Sequence, residues 1–165
     1  MENSMKIFIS HSSKDIKYVK ALVKLLCDIG VTERDLFCSS IAGFGIPLGE
    51  NIYEYLEKEF KNNNLLVIFI LSDNYYKSAA CLNEMGAAWV LKKEYYSILL
   101  PGFNFTNIEG AIDPRKIAIK LGQDSYEFKD CLAQLREVII KSLNLKKLSE
   151  TRWEQSRDNF IKEVN

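Results

Sequence analysis

The chain has 165 residues, room for one domain, and 47% are hydrophobic, an ordinary share for a packed core rather than for disorder. Lys and Arg together number 22, as do Asp and Glu, so the formal net charge is zero, which argues against nucleic-acid or anionic-membrane binding. The cysteines Cys27, Cys38, Cys81 and Cys131 form no CxxC pair and there is one histidine, which excludes the usual zinc sites and reads as reduced thiols of a soluble, cytoplasmic protein.

Met1–Lys6 lacks the apolar core of a signal peptide. Lys6–Ser10 reads as a first strand ending in the polar cluster His11-Ser12-Ser13. Residues 14–29 carry Ile16, Val19, Leu22, Val23, Leu26 and Ile29 on one helical stripe, and Gly30 stops it. Leu36–Ser39 is a short second strand. The glycines and Pro47 of Ile41–Gly49 exclude helix and strand, leaving a loop with an exposed Phe44, a lid or a partner contact. Glu50–Lys61 predicts a helix with Ile52, Leu56, Glu59 and Phe60 inward, stopped by Asn62-Asn63-Asn64. Leu65–Leu71 is wholly apolar, too short to cross a bilayer and suited to a central parallel strand. Ser72–Lys77 reads as a polar-aromatic loop, 78–93 as a helix and Ser97–Leu100 as a fourth strand closed by Pro101-Gly102. The stretch 103–125 offers Ile117-Ala118-Ile119 as a short fifth strand, and helices over about 126–142 and 149–163 complete the chain.

Strand–helix alternation predicts a parallel sheet with helices on both faces, where ligands bind beyond the carboxyl ends of the strands. Segments 10–13, 39–49 and 72–77 converge there. On the helix from Ser78, Ala80, Glu84, Ala87 and Leu91 share one face, so Glu84 interrupts an apolar stripe. A carboxylate in that place is paired, solvated by a cleft, or raised in pKa by desolvation. Pairing with a basic group or a backbone amide is the simple structural alternative. Ser10-His11-Ser12-Ser13 suits a phosphate or ribose, or plain capping by Ser12 or Ser13. The loop glycines read GxGxxxG after the second strand, not a dinucleotide fingerprint, and no GxxxxGK[ST] run exists. Trp89 reads as core.

Four segments in order resemble the bacterial form of the TIR domain. Lys6-Ile7-Phe8-Ile9-Ser10-His11-Ser12-Ser13-Lys14-Asp15 is similar to the family's first box, and Leu36-Phe37-Cys38-Ser39-Ser40 through Gly49 to its second strand and BB loop. Leu65–Leu71 with Ser72-Asp73-Asn74-Tyr75-Tyr76 resembles the third strand and its exit. Ser78-Ala79-Ala80-Cys81-Leu82-Asn83-Glu84 follows the SxxCxxE pattern of the next helix. The likeness runs from about Lys6 to Pro101. It departs at Ala80, where relatives often carry an aromatic residue, and at His11-Ser12-Ser13, where others have an aromatic or arginines.

The resemblance implies a flavodoxin-like, three-layer α/β fold with a central parallel five-stranded sheet, residues 1–145 forming the TIR domain and 146–165 a C-terminal helix on it. It implies cleavage of the nicotinamide–ribose bond of NAD, the substrate, with no cofactor or metal. Glu84 then takes the catalytic role, with His11, Ser12, Ser13, Ser40, Phe44 and Tyr75 around the nucleotide and Phe44 or Tyr75 over the ring. The product is ADP-ribose or a cyclic isomer, in a setting of bacterial defence against phage. Implied partners are other copies through TIR–TIR contacts and a separate effector reading the product. A non-catalytic TIR interaction module is the alternative, and a flavodoxin-like nucleoside deoxyribosyltransferase a more distant one.

Overall fold

The computed structural model describes residues 5–62 and 64–165. Met1–Ser4, and Asn63 in the middle of the expected helix stop, lie outside the described residues. Five strands form one sheet: β1 (Met5–Ser10), β2 (Leu36–Phe37), β3 (Asn64–Leu71), β4 (Glu94–Leu99) and β5 (Ile119–Lys120). Their order is β2-β1-β3-β4-β5 and every neighbouring pair is parallel. Chain order reverses between β1 and β3, the switch point where doubly wound sheets bind ligands.

Side-chain alternation along the strands sorts the core into two layers. Ile7 and Ile9 of β1 and Leu66, Ile68 and Ile70 of β3 face one side, packed under α1 (Ile16–Asp28), α5 (Tyr126–Leu143) and α6 (Glu150–Val164). Phe8 of β1 and Leu65, Val67, Phe69 and Leu71 of β3 face the other, under α2 (Ile52–Asn62), α3 (Asp73–Tyr76) and α4 (Ala79–Val90). The apolar run Leu65–Leu71 of β3 is covered on both faces, which is why it shows no polar alternation. α6 contributes Trp153, Phe160, Ile161 and Val164 to the first layer. Arg136 of α5 is buried over the Trp153 ring, 4.9 Å from its centre, and pairs with Glu150 at 3.1 Å.

Several elements differ from the sequence expectation. β4 begins at Glu94 rather than Ser97, and β5 is Ile119–Lys120 rather than 117–119. Ser72–Lys77 is not a loop: Ser72 caps the short helix α3, accepting from Tyr75 N at 3.0 Å. Trp89 is not core but 66% exposed, because α4 turns Cys81, Met85 and Ala88 to the sheet instead. On α2, Phe60 and Glu59 are buried, Glu59 meeting Lys6 at 3.0 Å, whereas Ile52 is exposed. No helix among the described residues is long and apolar enough to cross a membrane.

Candidate active site

The turn after β1, the loop after β2 and helix α4 after β3 meet at the carboxyl edge of the sheet around a cleft of about 840 Å³. Helix α4 starts where Ser78 accepts from Cys81 N at 3.3 Å, satisfying one of the free first-turn amides. From that start Ala80, Glu84, Ala87 and Leu91 line the cleft together. The stripe read from the sequence therefore exists, but as the wall of a cleft and not as a core face. Its small residues leave the room that Glu84 faces.

Glu84 is half-buried, and Ser10 Oγ donates to its Oε2 at 2.5 Å. Desolvation raises its pKa to about 7, partly offset by the Ser10 bond. Among the described residues no cation pairs with it, and the partner that holds it is the Ser10 hydroxyl rather than a basic group. Ser10 reaches it by strand parity: as the even partner of Phe8 it faces the α4 side, and it is wholly buried.

Ser10 also meets Tyr75 Oη at 2.8 Å, and Tyr75 Oη donates to the Cys81 carbonyl at 3.0 Å. Tyr75 is wholly buried beneath the cleft floor, so it cannot cover a ligand ring, and the role expected of it is corrected to support. It is held there through Asp15, which accepts from Ser72 Oγ at 2.5 Å and from Asn74 Nδ2 at 2.8 Å. Asp15→Ala leaves those donors without their shared acceptor and is expected to cost about 2 kcal/mol, read from the urea midpoint.

His11 lines the cleft and is buried, which lowers its pKa and keeps the ring neutral at pH 7. Its Nδ1 lies 3.1 Å from the Ile9 carbonyl, which only accepts, so Nδ1 carries the hydrogen. Nε2 is then an acceptor with no partner among the described residues. Cys38 Sγ is 4.0 Å from Nδ1, but burial pushes that thiol up to about 12, so it is no thiolate nucleophile.

Ser13 and Ser40 are exposed and line the cleft, whereas Ser12 is buried and accepts from Lys14 N at 3.4 Å. Ser12 is thus a cap away from the cleft, as its alternative reading had it. Phe44 is half-buried and packs into the α1 layer, and its carbonyl accepts from Cys38 N at 2.8 Å. Turned from the cleft, it is neither an exposed lid residue nor a cover for a ring. The apolar wall it was expected to supply comes instead from Ile46, Pro47 and Leu48 of the loop with Ile52, Tyr53 and Leu56 of α2. Gly45 permits the loop's tight path, since a Cβ there would stand 3.3 Å from the Ser39 carbonyl.

Sequence reasoning put Ser10 in the ligand-suited turn but missed its bond to Glu84, and it missed Tyr53 and the α2 wall as site elements. For Ser10 the signal existed: a lone hydroxyl ending a strand, two places after the core residue Phe8 on the same face. Residues 7–136 match the model of a family described as TIR domain, a span reaching past Pro101 to include β5 and half of α5. The chain is 43% identical over 160 residues to the uncharacterized protein YddK of Bacillus subtilis (strain 168). That alignment covers 96% of this chain and 57% of YddK, so the chain spans little more than half of that relative's length.

Proposed function

This chain belongs to the TIR domain family, and from that premise we propose that it cleaves the nicotinamide–ribose bond of NAD with Glu84. One observation carries the reading: a carboxylate with no cation beside it, lifted to about pKa 7 by burial, facing a cleft large enough for a nucleotide. Nicotinamide in NAD is a cationic leaving group and needs no proton to depart. As the C1′–N bond breaks, its electron pair neutralises the pyridinium nitrogen and positive charge appears on the ribose, as in glycoside hydrolysis. The Glu84 carboxylate stabilises that charge in a poorly hydrated site. Water, or a nucleophilic nitrogen of the adenine, adds to C1′; water gives up a proton to leave ADP-ribose, and ring closure gives a cyclic isomer. Ser13 and Ser40 bond the substrate's sugar or phosphate oxygens, exposed Tyr53 covers a planar ring, and His11 forms part of the cleft wall beside them. Antiphage signalling through a separate effector is the setting this activity fits.

The exposed side chains of Leu48, Ile52 and Tyr53 at the rim favour a second reading, a docking module that binds other TIR domains. Incubating the purified chain with NAD and separating products by mass spectrometry decides between them. Nicotinamide release is expected, with kcat/KM rising about tenfold per pH unit below about 7 and level above it, because the ionised carboxylate is the active form. No release at any protein concentration, including concentrations that force self-association, overturns the catalytic reading. Turnover of deoxynucleosides in place of NAD points to the deoxyribosyl-transfer chemistry.

A further inference from the structure

Beneath the cleft, three oxygen-to-oxygen contacts run in line from the carboxylate to a helix carbonyl. Glu84 Oε2 lies 2.5 Å from Ser10 Oγ, Ser10 Oγ 2.8 Å from Tyr75 Oη, and Tyr75 Oη 3.0 Å from the Cys81 carbonyl oxygen. Each contact needs a hydrogen, and serine and tyrosine bring one each. With Glu84 ionised, two hydrogens serve three contacts. If Ser10 donates to the carboxylate and Tyr75 to Cys81, the 2.8 Å contact between the two hydroxyls holds none and sets lone pairs against each other.

A proton on Glu84 supplies the missing hydrogen. The Cys81 carbonyl can only accept, so protonation reverses the Ser10–Glu84 bond from the direction it has with the carboxylate: Glu84 donates to Ser10, Ser10 to Tyr75 and Tyr75 to Cys81. Water does not relieve the shortage, since Ser10 and Tyr75 are both 0% exposed. We propose that Ser10 and Tyr75 are positioning residues, a reversible hydroxyl chain that holds Glu84 as the neutral acid in the unliganded protein and turns over when a cationic ligand takes Glu84 as the carboxylate. In the reversed chain Tyr75 donates to Ser10 and Ser10 to Glu84, the Cys81 carbonyl loses its tyrosine, and one proton leaves to solvent. The ligand half rests on the NAD-cleaving reading, whereas the proton half stands on the geometry alone.

The groups around Glu84 are held by burial or by partners of their own. Cys38, Cys81 and Tyr75 are pushed up by burial, with the Glu84 charge adding to the shift. His11 is held neutral, the Asp15 carboxylate is occupied by Ser72 and Asn74, and Lys61 across the cleft is paired with Glu57.

Titrating the full chain labelled with ¹³C at the glutamate carboxyls, with Glu84 assigned through Glu84→Gln, tests the chain. Tyr75→Phe is expected to lower the Glu84 midpoint by about one pH unit or more, because the neutral acid loses its onward acceptor while the carboxylate keeps Ser10. A midpoint that stays or rises overturns the proposal. In the unaltered protein, the infrared C–O stretch of Tyr75, identified by its loss in Tyr75→Phe, shifts with the same midpoint as Glu84, since its hydrogen changes partner. A Tyr75 band that stays flat across that pH range overturns it too, whatever the fate of the variant. If both shifts occur without nicotinamide release, the proton chain stands and the enzymatic reading falls.

Discussion

Glu84→Gln is expected to lower nicotinamide release from NAD by about a thousandfold or more while making the folded protein more stable above neutral pH. The loss follows from the charge: glutamine keeps the shape and a hydrogen bond to Ser10 but cannot balance the cation that forms on the ribose. A thousandfold is about 4 kcal/mol of transition-state stabilisation, within reach of one fixed charge in a partly desolvated site.

The gain in stability has the same origin. Folding raises the Glu84 pKa from 4.5 to about 7, so the folded state binds the proton more tightly than the unfolded chain does. Below pH 4.5 both states are protonated and the shift has no effect. Between 4.5 and 7 the cost of ionising the buried group grows, and above about 7 it is complete, at most about 3 kcal/mol at about 1.4 kcal/mol per pH unit. Glutamine carries no such cost, so the difference in thermal midpoint between the variant and the parent grows from acid to alkaline pH. A variant that loses activity and is also less stable at pH 8 marks Glu84 as a structural group. Persistent turnover in Glu84→Gln removes it from the chemistry.

Trp153→Ala is expected to cost about 3–5 kcal/mol, seen as a large fall in the urea midpoint of a single transition. Trp153 is 3% exposed, lies in the same apolar layer as α1 and α5, and carries the Arg136 guanidinium over its ring. Its removal opens a cavity and takes away the aromatic face beside a buried cation. The family match ends at residue 136, before α6 begins, so this variant asks whether the last helix belongs to the cooperative unit. A change of less than about 1 kcal/mol would make α6 an appended arm, since surface positions rarely exceed that.

Much of the framework was legible because it rests on local chemistry. The apolar run of β3 and the stripe of α1 ending at Gly30, with φ +107°, each announce an element through backbone and burial rules acting within a few residues. The same rules placed Glu84 with Ala80, Ala87 and Leu91 on one helix face. They erred where a side chain's neighbours come from distant segments. Trp89 has the composition of a core residue, yet α4 presents another face to the sheet. Phe44 sits in a glycine-rich loop, yet it packs into the α1 layer.

By itself, then, the sequence determined the alternating α/β order, the parallel sheet and the carboxylate on a face of small residues, since periodicity and caps depend only on neighbours along the chain. Tertiary structure alone decided that this face borders a cleft, that Tyr75 lies under its floor, and that Ser10 touches Glu84 across 74 positions. The physical reason is that a helical period defines a stripe but not what covers it. Desolvation, and with it the Glu84 pKa, is set by whichever segments the packing brings alongside.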